Sequence, residues 1–417
     1  MTHQPSELAS QILFACQRHQ PVPSEPLRQL LSLANHIDPV IATAASIVLF
    51  RDLVEPLSDS FEPDLCLAYA GIFSSAIESA LPDLPAAHLL QRYQSIRAMR
   101  PCRESKVSDV IVLSRVTLGA DVAVTSLMLD AAKKRFPSAR IHFAGSAKAY
   151  ELFNADPRIL HLRLPYARGG ALADRLSAGL ELRDLLQNTE GIVIDPDSRL
   201  TQLGLLPVCG LDRYFFFESR SYGADGPDPI GKLAQDWIRE TFSVDDAKAF
   251  IAPAAKPLFP GHDLATLSLG VGDNPAKRIP DPFEQDLLRH LVRLGLNVFI
   301  DQGTGGEEAD RVQRAIQSAG ARPGQIQTWR GAFAPFAATI AASRLYVGYD
   351  SAGQHVAATC GTPLVTLFAG FVSPRMFHRW SPRGPGPMEV IRVENPDPAP
   401  VLDQAKARIA KLLALPR

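Results

Sequence analysis

Twice along this chain, short apolar runs are followed by a glycine-bearing turn and then a helical stretch. That rhythm constrains the fold more than any other feature, because strand–helix repetition builds a mostly parallel sheet with helices on its faces. The first series opens at 110–114 (VIVLS). A helical pattern with Leu118, Val122, Leu129, Ala132 and Phe136 on one side follows, and Pro137 ends it. Further strands are expected from Ile141 and over 159–164, 191–194 and 214–217. The second series has strands expected over 265–269, 297–300, 345–349 and 363–368, with helices over 283–294, 306–318 and 333–342 between them.

A polar, Gly- and Pro-rich connector over 222–262, with an amphipathic helix around 230–242, separates the two series. The chain therefore divides into a helical segment over 1–105, a first α/β lobe over 106–245, a second over 246–395 and a closing helix over 396–417. In the helical segment, Leu27, Leu30, Leu31, Ala34 and Ile37 recur at helical spacing, and Asp38-Pro39 is a cap-plus-first-turn pair for a second helix. Nothing there carries recognisable chemistry, so 1–105 reads as a docking or self-association segment.

Lys plus Arg number 43 against 44 Asp plus Glu, which gives no support to a general nucleic-acid coat. The five cysteines are scattered, without CxxC spacing, which argues against a disulfide framework or a structural zinc site. The first twenty residues lack a basic start followed by an apolar stretch, and no apolar run approaches membrane-spanning length. The chain reads as cytoplasmic, with peripheral contact at the inner membrane face left open.

In open α/β sheets ligands bind beyond the carboxyl ends of the strands, where loop amides and helix N-termini meet anions. Four loops lie there. The first, 114–121, holds Arg115, Gly119 and Asp121; Asp121 reads either as a helix cap or as a cleft-facing general base. The second, 270–278, places Gly270 and Gly272 before Lys277 and Arg278, a phosphate-loop pattern. The third, 301–308, carries Gly303, Gly305 and Gly306 ahead of Glu307 and Glu308. The fourth, 349–355, contains Asp350, Ser351, Gly353 and His355; Ser351 and Gln354 have capping-box spacing for a helix whose free amides suit a diphosphate. Asp195 and Asp197 spell a DxD pair, but no other ligands stand near in sequence and no metal site is assigned. Arg199 and Arg220 are candidate cations for an anionic acceptor.

These loops resemble those of the ADP-heptose:lipopolysaccharide heptosyltransferases, glycosyltransferase family 9, over about residues 108–392. The family's basic residue, Gly and Asp before an apolar helix look like Arg115, Gly119 and Asp121. Its glycine-loop Lys looks like Lys277, and its Asp-Thr/Ser-Gly-x-x-His-x-x-Ala-Ala element looks like the stretch from Asp350 to Ala358. The stretch from Gly361 to Gly370 (GTPLVTLFAG) looks like the family's Gly-x-Pro segment.

The resemblance implies a GT-B fold of two Rossmann-like lobes, the first for the acceptor and the second for a nucleotide-sugar donor. It implies inverting sugar transfer to a glycan or lipid-linked acceptor without cofactor or metal. Asp121 would be the base, and Lys277, Gly272, Gly303, Asp350, Ser351, Gly353 and His355 would surround the donor. Arg115, Gly119, Arg199 and Arg220 would lie on the acceptor side. The pattern departs from the family at Ala120, inserted between Gly119 and the acid, at Ala352 in place of a Gly, at Ala369, and at Ile279 where an aromatic is expected. A partner-docking or nucleotide-binding protein without turnover, and a nucleotide-sugar epimerase, are the competing readings.

Overall fold

The computed structural model describes residues 4–416 apart from Arg168, Ala224, Asp225, Pro260, His262, Asp273 and Thr304. Asp273 and Thr304 belong to two of the glycine loops singled out above. Two parallel sheets carry the fold. The first comprises β1 (Asp109–Leu113), β2 (Arg140–Gly145), β3 (Ile159–Arg163), β4 (Ile192–Asp195) and β5 (Tyr214–Phe216), in the order β3-β2-β1-β4-β5. The second comprises β6 (Leu264–Ser268), β7 (Asn297–Asp301), β8 (Ile326–Trp329), β9 (Leu345–Tyr349), β10 (Leu364–Phe368) and β11 (Met388–Arg392), in the order β11-β10-β9-β6-β7-β8. Every recorded strand pairing is parallel.

The sequence reading missed β8, β11 and the helices Leu172–Leu186 and Pro374–Trp380. Both strands lie at sheet edges, where one side needs little apolar cover, so neither forms an apolar run. In Leu172–Leu186, Leu176 and Leu182 are buried while Leu185 is exposed, so no clean stripe stands out.

β1 shows why the helical segment folds where it does. Alternate residues of a strand face opposite sides of the sheet. Val110 and Val112 join one core with the helix Ser126–Arg135 and the helix Ile230–Phe242. Ile111 and Leu113 join another, filled by Leu30, Phe50, Leu53, Tyr69, Phe73 and Ile77 of the N-terminal helices. The segment read as a docking arm thus shares a continuous core with the first lobe. The helix expected after Asp38-Pro39, third in this segment, starts as read: the Asp38 side chain accepts from the Val40 amide at 2.9 Å ahead of the helix Pro39–Val48.

Two of the contacts between the lobes among the described residues bear on the site. The helix Ala352–Cys360 abuts the turn Leu118–Ala120, where a Cβ on Gly119 would lie 3.2 Å from the Ala352 Cα and 3.1 Å from the His355 ring. The helix Pro374–Trp380 crosses back to the first lobe: Arg375 donates to the Arg220 carbonyl, and Arg379 to those of Gly226 and Asp228. No helix among the described residues is long and apolar enough to cross a membrane.

Candidate active site

Each sheet reverses strand order beside its first strand, and the loops flanking that reversal form a crevice. In the first lobe the crevice lies between β1 and β4. The Ser198 hydroxyl donates to the Ser114 carbonyl, and Arg115 Nη1 donates to the Pro196 carbonyl at 2.6 Å and to Ser219 Oγ at 2.8 Å. Val116, a β-branched residue, holds φ at +73°, a strained conformation of the kind that gathers at functional sites.

Asp121 does not face this crevice. It is fully buried; Oδ1 accepts from the Arg115 amide at 2.7 Å and from the Thr125 hydroxyl at 2.8 Å, and Oδ2 from the Ser114 hydroxyl at 2.7 Å. Burial pushes its pKa up to about 6 despite these three donors. The physical reason is the inserted Ala120. Asp121–Thr125 forms a π-helical turn, the usual way a helix absorbs one extra residue. Ala120 lines the cleft, and the carboxylate lies beneath it.

The DxD pair is divided. Asp195 is fully buried on the Thr201 and Tyr214 hydroxyls and the Ser198 amide, and burial raises its pKa to about 6. Asp197 accepts from Arg220 and from Ser219. A cleft of about 530 Å³ opens beside it, walled by the N-terminal helices, the first lobe and the helix Pro374–Trp380. Sequence reasoning had no means of placing Glu55, Asp59 and Arg175 there, because the segments carrying them are far apart in the chain. Arg199 and Arg220 both reach the extension, donating to Asp59 Oδ1 at 3.0 and 3.2 Å.

In the second lobe the strand order reverses between β6 and β9. Lys277 follows β6 and Asp350 follows β9; Lys277 Nζ lies 2.7 Å from Asp350 Oδ2. Gly272, at φ +58°, stands in open space in the same loop, and Gly303 follows the neighbouring β7 at φ +66° against the Glu308 carboxylate. Burial raises the pKa of both Glu308 and Asp301. Asn274 caps the turn Pro275–Lys277 and donates to the Gly370 carbonyl.

The expected capping box is not formed. The Ser351 side chain bonds no helix amide; its hydroxyl lies 3.2 Å from that of Tyr346. Gln354 turns inward, donating to Asp350 and accepting from Thr366 at 2.7 Å. Burial beneath the lobe junction explains this: Gln354 is fully enclosed and satisfies its own amide there. The N-terminal amides of Ala352–Cys360 are thus left without a side-chain cap. Gly353 has no room for a Cβ, which would lie 2.3 Å from the Tyr346 hydroxyl. His355 is buried beside Trp380, and burial lowers its pKa to about 4, so it is neutral at physiological pH.

Residues 212–386 match the model of glycosyltransferase family 9 (heptosyltransferase). No curated protein matches the chain. Among solved structures, a family 9 glycosyl transferase from Veillonella parvula DSM 2008 is 16% identical, with 75% of this chain and 99% of that one covered and a TM-score of 0.55. E. coli heptosyltransferase WaaC with ADP is 12% identical over 73% and 99%, with a TM-score of 0.52; its complex with ADP-2-deoxy-2-fluoro heptose gives 12%, 73%, 100% and 0.51. At these identities the structures speak for the shared GT-B fold. Over residues 212–386, from the end of the first lobe through most of the second, the chain is similar to glycosyltransferase family 9, on a fold shared with these structures.

Proposed function

We propose that the protein transfers a sugar from a nucleotide-diphosphate sugar, with inversion, to an acceptor held against the first lobe. The observation that carries this reading is the convergence of Lys277 and the uncapped helix N-terminus at Ala352 on one side of the second sheet. A diphosphate entering a partly closed cleft loses hydration, and amides plus a cation replace it. The lysine's partner, Asp350, holds it in place until phosphate arrives. WaaC has been captured with an ADP-linked fluoro-heptose, which makes an ADP-heptose the first donor to test.

Transfer forms a bond between the acceptor oxygen and the sugar's anomeric carbon and breaks the bond from that carbon to the diphosphate. The leaving charge falls on Lys277 and the helix amides, and the acceptor's proton needs a base. Asp121, the residue the resemblance offers, is sealed from the cleft. Asp59 and Glu55 do reach solvent there. Burial raises the pKa of Asp59, but Arg199 and Arg220 outweigh it and hold it below the usual value. The nearest cation to Glu55 is Arg175 at 4.0 Å. The less tightly paired carboxylate is the better base, and we assign the proton to Glu55. A second reading, nucleotide binding without turnover, is favoured by the sealed Asp121.

Lys277→Ala should weaken nucleoside-diphosphate binding by about 1–3 kcal/mol, the scale of a charge-assisted hydrogen bond, and leave nucleoside binding nearly unchanged. Parallel titrations of the two ligands check this; equal losses for both would place Lys277 away from the phosphates.

A further inference from the structure

Packed helices leave few voids, because every unfilled space forfeits contacts on both of its walls. One void stands at the seam of the two lobes. A cavity of about 370 Å³ opens between the turn Asp121–Thr125, the helices Ser126–Arg135 and Ile230–Phe242, and the second lobe's helix Ala352–Cys360. Small wall residues keep it open: Ala123, Gly231, Ala247, Ala249 and Gly384 have no side chain long enough to fill it. The helix Ile230–Phe242 is already in close contact there, since a Cβ on Gly231 would lie 3.2 Å from the Ala123 carbonyl oxygen. It therefore cannot move inward to close the space.

The polar groups of the cavity are all on one side of the charge balance. Leu127 and Ile230 are buried walls, while Lys248 and Arg383 are exposed at its rim. Gln235 ties the two cations together: its Oε1 accepts from Arg383 Nη2 at 2.7 Å, and its Nε2 donates at 3.2 Å to the carbonyl of Ala247, next to Lys248. The Lys248 amide is itself anchored on Asp130 at 2.8 Å. Arg383 Nη1 reaches the Gly231 carbonyl only at 3.5 Å, the limit of a hydrogen bond. No carboxylate lines the cavity among the described residues, and Asp246, two residues before Lys248, pairs with Lys134 at 3.0 Å instead.

We propose that this cavity binds a small amphipathic anion, with an apolar body against Leu127 and Ile230 and one oxyanion group on Lys248 and Arg383. Apolar walls with a few convergent polar groups are the ordinary make-up of a small-molecule site, and cations at the mouth select the sign of the ligand's charge. The site goes beyond the transfer reading and does not depend on it. Lys277, Asp350 and Ala352 do not line the cavity, and of the donor-side candidates only His355 borders it. An occupant would touch both lobes at once.

The test titrates the full chain, by fluorescence, with anilinonaphthalenesulfonate and with N-phenylnaphthylamine, the same apolar body without the charge. Saturable binding of one equivalent of the sulfonate is expected, and excess ADP should not displace it. A Lys248→Gln/Arg383→Gln double variant should bind the sulfonate at least ~5-fold more weakly and the neutral probe within about twofold of wild type. Ala249→Phe, which fills the cavity, should weaken both probes by at least ~10-fold. The double variant changes only exposed side chains, so it keeps the proposal testable if Ala249→Phe fails to fold. Absence of saturable binding, displacement by ADP, equal losses of the two probes in the double variant, or unchanged binding in Ala249→Phe would each overturn the site.

Discussion

Asp121→Ala should cost about 3–5 kcal/mol of stability, because it strands two buried hydroxyls and the Arg115 amide. Asp121→Asn should cost far less. Its carbonyl oxygen can keep the bonds from Arg115 and Thr125, and its amide can donate to Ser114. Acidity sharpens the contrast. The folded pKa of about 6 lies above the ordinary aspartate value of 3.8, so between these values the folded state binds more protons than the unfolded. Stability from this group therefore falls as pH rises through that window, by up to about 3 kcal/mol, and Asp121→Asn should lack that slope. Denaturant unfolding of wild type and both variants at pH 4 and pH 7 reads each term. Turnover discriminates roles: Asp121→Asn should stay within about tenfold of wild type, while Glu55→Gln should lose at least ~10²-fold. The reverse order would return the base to Asp121.

Gly370→Ala should damage both the second lobe and donor binding. Gly370 sits at φ +66°, where an alanine is strained, and its Cβ would lie 2.6 Å from the Ala276 carbonyl carbon and 2.7 Å from the Lys277 nitrogen. Backbone atoms cannot turn aside as a side chain would, so the Pro275–Lys277 turn must shift. A loss of about 2–4 kcal/mol of stability is expected from strain and overpacking together. Nucleoside-diphosphate affinity should fall at least as far as in Lys277→Ala, because the lysine moves with its turn. A thermal melt and an ADP titration on the same sample check the two effects, and unchanged ADP affinity would dissociate the turn from the donor site.

The two lobes were legible in the sequence because parallel strands buried on both faces read as apolar runs, as at 110–114 and 345–349. Lys277 and Asp350 were legible in loops after strands, but their convergence needed the strand order that sets β6 beside β9. The burial of Asp121 was not legible: one extra residue ahead of it can loop out or wind into a π-turn, and only packing decides. The cleft beside the N-terminal helices was hidden for another reason. Glu55, Asp59 and Arg175 meet Arg199 only because Ile111 and Leu113 draw the N-terminal helices onto the sheet. Those helices read as a separate arm because the strand residues that join them to the sheet, Ile111 and Leu113, lie outside their own stretch of sequence.

The central claim is that the second lobe holds a nucleoside diphosphate between Lys277 and the helix Ala352–Cys360. The most direct measurement is a crystal structure of the full chain soaked with ADP. The diphosphate is expected within hydrogen-bond reach of Lys277 Nζ and the amides of Ala352 and Gly353, with the Lys277–Asp350 contact loosened. A diphosphate seated instead among Arg175 and Arg199, with the second-lobe crevice empty, would contradict it.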